Sequence, residues 1–130
     1  MIIGPIDSTY EQGVFYGRIV YPKNFPFSPP KMYIFDSVEC RTGLYHPNIY
    51  ANGLCCISIL HEGKDNTGYE SNAMRWSPAM SIESIIISII SMLDSPNVDS
   101  PANIDAANMY RMDRNEYNKI VHAIVCKSQK

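Results

Sequence analysis

The stretch Gly13-Val14-Phe15-Tyr16-Gly17-Arg18-Ile19-Val20-Tyr21, followed by Pro22-Lys23-Asn24-Phe25-Pro26-Phe27-Ser28-Pro29-Pro30 and then Lys31-Met32-Tyr33-Ile34-Phe35, decides the architecture. The first run is rich in Val, Ile, Phe and Tyr, with turn residues before it (Gly4, Pro5, Asp7, Ser8) and Pro22 after it, so it predicts a β-strand. Lys31 to Phe35 predicts a second, shorter one. Between them, four prolines in nine residues forbid a helix and remove ladder donors, which predicts a rigid extended connector.

Working outward, the last third changes period. Ile82, Ile85, Ile86, Ile89, Ile90 and Leu93 recur at helical spacing, with Ser84, Ser88 and Ser91 opposite. Ser81 is the expected N-cap, and Glu83 suits the positive end of the helix dipole. Asp94-Ser95-Pro96-Asn97 ends that helix; a short one is expected next, with Pro101 at its first helical position after Ser100. A final helix is expected to start at Asp113, paired with Glu116 in a capping-box-like arrangement, with Tyr117, Ile120, Val121, Ile124 and Val125 on its apolar face. From Asp36 to Arg75 there is no clean period, and an irregular stretch this long inside a compact domain is usually functional or mobile. Strands first and helices afterwards make an α+β fold, an antiparallel β-meander packed by C-terminal helices.

The chain of 130 residues, 45% hydrophobic, suits a single domain over 1–130 with one core. A net charge of −2 argues against nucleic acid or a membrane surface held by bulk electrostatics. No apolar run is long enough to span a bilayer, and neither a secretory leader nor a direct membrane anchor is expected. Cysteines at 40, 55, 56 and 126 form no regular framework, and two neighbours bond to each other only with strain, so reduced thiols and a cytoplasmic location are expected.

The chemistry concentrates in His46-Pro47-Asn48-Ile49-Tyr50-Ala51-Asn52-Gly53-Leu54-Cys55-Cys56. A thiolate nucleophile needs an accessible sulfur and a donor for any oxyanion it creates, and an Asn amide beside a Cys can be that donor. The same residues admit other readings: a plain Asn turn at 46–48, a zinc site using His46, Cys55, Cys56 and His61, or a Cys–His hydrolase. The zinc reading lacks the usual ligand gap, and no metal is expected.

Taken together, these segments resemble the ubiquitin-conjugating enzyme family over nearly the whole chain. The resemblance runs through Ile3-Gly4-Pro5, Tyr10-Glu11-Gln12-Gly13-Val14-Phe15, Tyr21-Pro22, Phe25-Pro26-Phe27-Ser28-Pro29-Pro30-Lys31, His46-Pro47-Asn48, Trp76-Ser77-Pro78-Ala79 and Pro96-Asn97. In that family the active cysteine lies ten residues after the His, which selects Cys56. Twenty residue numbers separate Cys56 from Trp76, and His61-Glu62-Gly63-Lys64-Asp65-Asn66-Thr67-Gly68-Tyr69-Glu70 is similar to the acidic loop of the members linked to endoplasmic-reticulum-associated degradation. Ile57-Ser58-Ile59-Leu60-His61 and Ser100-Pro101-Ala102-Asn103-Ile104-Asp105 point the same way.

The resemblance implies ubiquitin carried as a thioester on Cys56, received from the activating enzyme and passed, with a RING-type ligase, to substrate lysines for proteasomal degradation. A non-catalytic module of the same fold is the alternative. It implies Asn48 as oxyanion donor or loop brace, and Ser100 and His61 acting on the incoming lysine. It also implies Pro26, Phe27, Ser77, Pro78 and Ala79 as ligase contacts, and Ile87 and Ser91 as donor-ubiquitin contacts. No cofactor is implied, because ATP is consumed by the activating enzyme; recruitment to the cytosolic face of the endoplasmic reticulum is implied.

Two departures stand out. The family opens with an amphipathic helix and a first strand, whereas Met1-Ile2-Ile3-Gly4-Pro5 begins near that strand's end, so weak charging by the activating enzyme and an exposed strand edge are expected of this chain. Ser37-Val38-Glu39-Cys40-Arg41-Thr42 is similar to nothing usual between this strand and His-Pro-Asn, and is expected to be a local insertion.

Overall fold

A computed structural model describes residues 1–39, 41–61 and 75–129. Three strands, β1 (Ile2–Ile3), β2 (Val14–Val20) and β3 (Lys31–Phe35), form an antiparallel meander in the order β1-β2-β3. Ile2 pairs with Phe15, Tyr16 with Phe35 and Val20 with Lys31. This register puts Ile2, Phe15, Met32 and Ile34 into the core, while Arg18 lies outside over the ring of Tyr33. Gly17 falls on the crowded inner face: a Cβ there would stand 2.8 Å from Met32 Cε and 3.0 Å from Ile2 Cδ1, so a larger residue would have to push the ends of those two side chains aside. Past Phe15, no strand covers the outer side of β2 among the described residues.

Helix α1 (Ile82–Asp94) packs Ile85, Ile89, Met92 and Leu93 on the inner face of the sheet. Ser81 caps it, its Oγ accepting from the Ser84 N–H at 3.1 Å. The buried face is rotated from the expected stripe: Ile90 is exposed and Met92 takes its place. Helix α3 (Arg114–Ser128) is capped by Asp113, whose Oδ1 accepts from the Glu116 N–H, and buries Tyr117, Val121 and Val125. Helix α2 (Ile104–Met112) corrects the sequence reading. It begins after Asn103, whose Oδ1 caps Ala106 N, so Pro101 precedes the helix and Ser100 is not its cap. No helix among the described residues is long and apolar enough to cross a membrane.

The proline-rich connector is also corrected: it is folded into turns rather than extended. Phe25 N–H donates to the Pro22 carbonyl at 3.1 Å and Phe27 N–H to the Asn24 carbonyl at 2.9 Å. After β3 the chain doubles back, Asp36 N–H reaching the Thr42 carbonyl and Leu44 N–H the Ile34 carbonyl. The expected insertion is therefore the tip of a hairpin returning along β3; Cys40 lies outside the described residues.

Candidate active site

The site rests on three consecutive residues, each bonded to a different segment. His46 is fully buried; its Nε2 lies 2.7 Å from the Met92 carbonyl near the end of α1, and its Nδ1 accepts from Asn48 N–H at 3.0 Å. That pattern fixes the tautomer with the proton on Nε2. Burial lowers the His46 pKa to about 4, although the bond to the Met92 carbonyl opposes the shift, so the ring is neutral. The Pro47 carbonyl accepts from Ala102 N–H and Asn103 N–H at 2.8 and 2.9 Å, which holds the segment before α2. The Asn48 amide is 2% exposed and bonds the main chain of Asn97 in both directions, Nδ2 donating to its carbonyl at 2.7 Å and Oδ1 accepting from its N–H at 2.8 Å.

Behind this turn, the Tyr10 hydroxyl bonds the Tyr45 carbonyl and the Tyr117 hydroxyl, and burial raises the pKa of both phenols, keeping them neutral. The strip carrying the two thiols is then hung from it. Gly53, at φ +93, closes a tight turn from Tyr50, and Cys56 N–H donates to the Asn48 carbonyl at 2.8 Å. On extended backbone successive side chains point to opposite faces. Cys55 consequently faces the core at 5% exposure, and burial, reinforced by the neighbouring Cys56, pushes its thiol up to about 12. Cys56 faces outward and is half-buried. A 3-10 turn at Ser58–Leu60 then folds the chain back, so that His61 Nε2 stands 3.6 Å from Cys56 Sγ.

The expected residues thus fall into three places. Cys56, His61 and Asn48 meet on one strip, with the 100–103 segment anchored on Pro47 beside them and Ser100 exposed. The Asn48 side chain is engaged by Asn97, which makes it a brace for the loop in this state. Phe27 is 75% exposed, next to Pro26; Trp76 Nε1–H donates to the Pro26 carbonyl at 2.8 Å, and of the residues that follow Trp76, Ser77 is half-buried while Pro78 and Ala79 are exposed. Ile87, 57% exposed, and Ser91 lie one turn apart on the open face of α1. Of the acidic loop only His61 is described; Glu62 to Glu70 lie outside the described residues.

The four-residue zinc reading fails on geometry, since His46 and Cys55 are buried and both His46 nitrogens are engaged. Among the described residues no three His, Cys, Asp or Glu side chains are placed to hold a metal. Sequence reasoning did not find Asn97 as the partner of Asn48, nor Trp76 as a bridge. Asn97 carried a weak signal, an Asn directly after Pro96 at a helix end, but its partner is distant in the chain.

A half-buried thiol on a braced loop, near a helix with exposed Ile87 and Ile90 and a connector with exposed Phe27, suits an acyl carrier. The family model described as "Ubiquitin-conjugating enzyme" matches residues 1–125, and the chain belongs to that family. Among its relatives are human ubiquitin-conjugating enzyme E2 G2, 49% identical over 129 residues that cover 98% of this chain and 74% of the relative. Arabidopsis thaliana ubiquitin-conjugating enzyme E2 13 and Schizosaccharomyces pombe ubiquitin-conjugating enzyme E2 15 are each 48% identical over the same shares. The protein is a ubiquitin transferase, and its family implies ubiquitin, an activating enzyme and a ligase as partners.

Proposed function

We propose that Cys56 is the ubiquitin carrier of this enzyme. Its thiolate attacks the thioester carbonyl presented by the activating enzyme, and the tetrahedral intermediate expels that enzyme's thiolate. A substrate lysine amine then attacks the Cys56 thioester; the amine loses a proton, an isopeptide bond forms and the Cys56 thiolate leaves. Thioester exchange is nearly isoenergetic, so positioning carries the catalysis. The observation that supports this choice is the opposite facing of two adjacent thiols, with only Cys56 turned toward His61 and solvent.

In this reading Asn48 braces the loop that meets the oxyanion, while Ser100 and His61 orient the incoming lysine or accept its proton. Pro26, Phe27, Ser77, Pro78 and Ala79 dock a RING-type ligase. Ile87 and Ser91 rest against donor ubiquitin. The residues 1–130 act as one catalytic domain, without a bound cofactor, since ATP is spent on the activating enzyme. The resemblance of the segment after Cys56 to the acidic loop of members linked to endoplasmic-reticulum-associated degradation favours work in the cytoplasm at the face of the endoplasmic reticulum, feeding proteasomal degradation.

Incubation with activating enzyme, ATP and ubiquitin is expected to give a thiol-reducible adduct that survives Cys55→Ala and disappears in Cys56→Ala. An adduct retained by Cys56→Ala would overturn the assignment.

A further inference from the structure

We propose that Trp76 is a positioning residue that couples the ligase-docking loop to the nucleophile. The inference rests on the docking and carrier roles proposed above. Trp76 is bonded at both ends. Its indole Nε1–H donates to the Pro26 carbonyl at 2.8 Å, and its backbone N–H donates to the His61 carbonyl at 2.9 Å. On one side, the carbonyl it grips precedes Phe27, the most exposed aromatic in the connector. On the other, His61 Nε2 stands 3.6 Å from Cys56 Sγ. The Trp76 ring also packs tilted on Phe25, centroids 6.1 Å apart, a second contact between the indole and the connector.

A tryptophan side chain has only two torsions; its one polar group is spent on the Pro26 carbonyl and its main-chain N–H on the His61 carbonyl. Movement of the Pro26 carbonyl on ligase docking is therefore passed to the His61 main chain through one stiff residue, rather than dissipated in a flexible loop. Coupling of this kind is reciprocal, so a ligand at Phe27 alters the Cys56 environment, and a change at Cys56 alters the docking loop. One hydrogen bond of ordinary net strength is worth about a two- to tenfold effect.

The test measures carboxamidomethylation of Cys56 by iodoacetamide, followed on the Cys56 peptide by mass spectrometry because Cys126 is also exposed. The probe is a purified RING domain that discharges human E2 G2. In the wild-type protein, saturating RING domain is expected to change the Cys56 rate by about two- to tenfold. In Trp76→Phe, which keeps the ring and loses the indole donor, the RING domain is expected to bind within about twofold of wild type while its effect on the rate disappears. An unchanged wild-type rate, or an effect that persists in Trp76→Phe, overturns the coupling.

A second measurement does not depend on that variant folding. The chain has one tryptophan, so the wild-type indole N–H gives a single cross-peak. RING binding and Cys56 carboxamidomethylation should each move it, and a peak that ignores either one refutes the coupling. Failure of the docking reading looks different: the RING domain then fails to bind wild type, or binds Phe27→Ala equally well, and the coupling falls with it.

Discussion

Two cysteine–histidine pairs in this molecule are nearly identical in contact and different in everything else. Cys56 Sγ lies 3.6 Å from His61 Nε2, and Cys126 Sγ lies 3.5 Å from His122 Nε2. The second pair arises from helix spacing alone, since residues four apart on α3 are surface neighbours whatever their chemistry. The first is assembled by contacts distant in sequence: Cys56 N–H on Asn48, Asn48 on Asn97, His46 on Met92, and Pro47 on the segment before α2. A thiol beside an imidazole is thus not a site by itself. What separates the two is a framework that fixes where the sulfur points and leaves room for a donor and an acceptor on either side.

The largest expected effect breaks the comparison outright. Cys56→Ala should abolish the reducible ubiquitin adduct even though Cys126–His122 is intact. A residual adduct mapped to Cys126 would mean that the pair alone suffices and that the framework argument is wrong.

Acid should attack the framework before it attacks the helix surface. The folded pKa of His46 is about 4, below the ordinary value of 6.5 that it regains on unfolding. Between those values the unfolded chain binds the extra proton, so stability is complete above about pH 6.5 and falls as the pH drops toward 4. The slope approaches about 1.4 kcal/mol per pH unit, on the order of 3 kcal/mol across the window. Urea unfolding at pH 7, 6 and 5 measures it, and a flat profile would show that His46 accepts its proton without disturbing the Met92 and Asn48 bonds.

Asn48→Ala removes two side-chain bonds to the Asn97 backbone at a site 2% exposed. A loss of about 2 kcal/mol in unfolding free energy is expected, with slower discharge of the Cys56 thioester. Unchanged stability with slow discharge would instead favour a direct oxyanion role over bracing.

The same division between local and distant contacts explains what could be read from the residues. Lys31–Phe35 forms a strand with the expected bounds, and Ser81 and Asp113 cap their helices, because propensity and capping act within four residues. The alternation that turns Cys55 inward and Cys56 outward is equally local. Pro101 misled because Ser100 and Asn103 are both good caps, and the choice fell to Asn103, whose N–H, with that of Ala102, is held by the distant Pro47 carbonyl. The connector misled because clustered prolines exclude a helix yet favour turns as readily as extension. The Asn48–Asn97 lock and the Trp76 bridge join residues 49 and 50 positions apart, beyond any periodic signal.

Phe27→Ala tests an exposed ring on the connector instead of the buried framework. At 75% exposure the ring contributes little to the fold, so thermal stability should hold while affinity for the RING domain falls about tenfold. Loss of stability instead would mark Phe27 as packing.

The smallest effect expected is the one that sharpens the comparison most. Cys126→Ser keeps the helix position and replaces an exposed thiol by a hydroxyl beside His122. No buried area is lost, so unfolding free energy should stay within about 0.5 kcal/mol. The rate of adduct formation should match wild type within about twofold, because Cys126 lies on the open surface of α3, outside the hydrogen bonds that hold the Cys56 strip. A marked fall in charging would give the helical pair a part in the reaction, and the distinction between a contact and a site would then have to be drawn from something other than the framework around it.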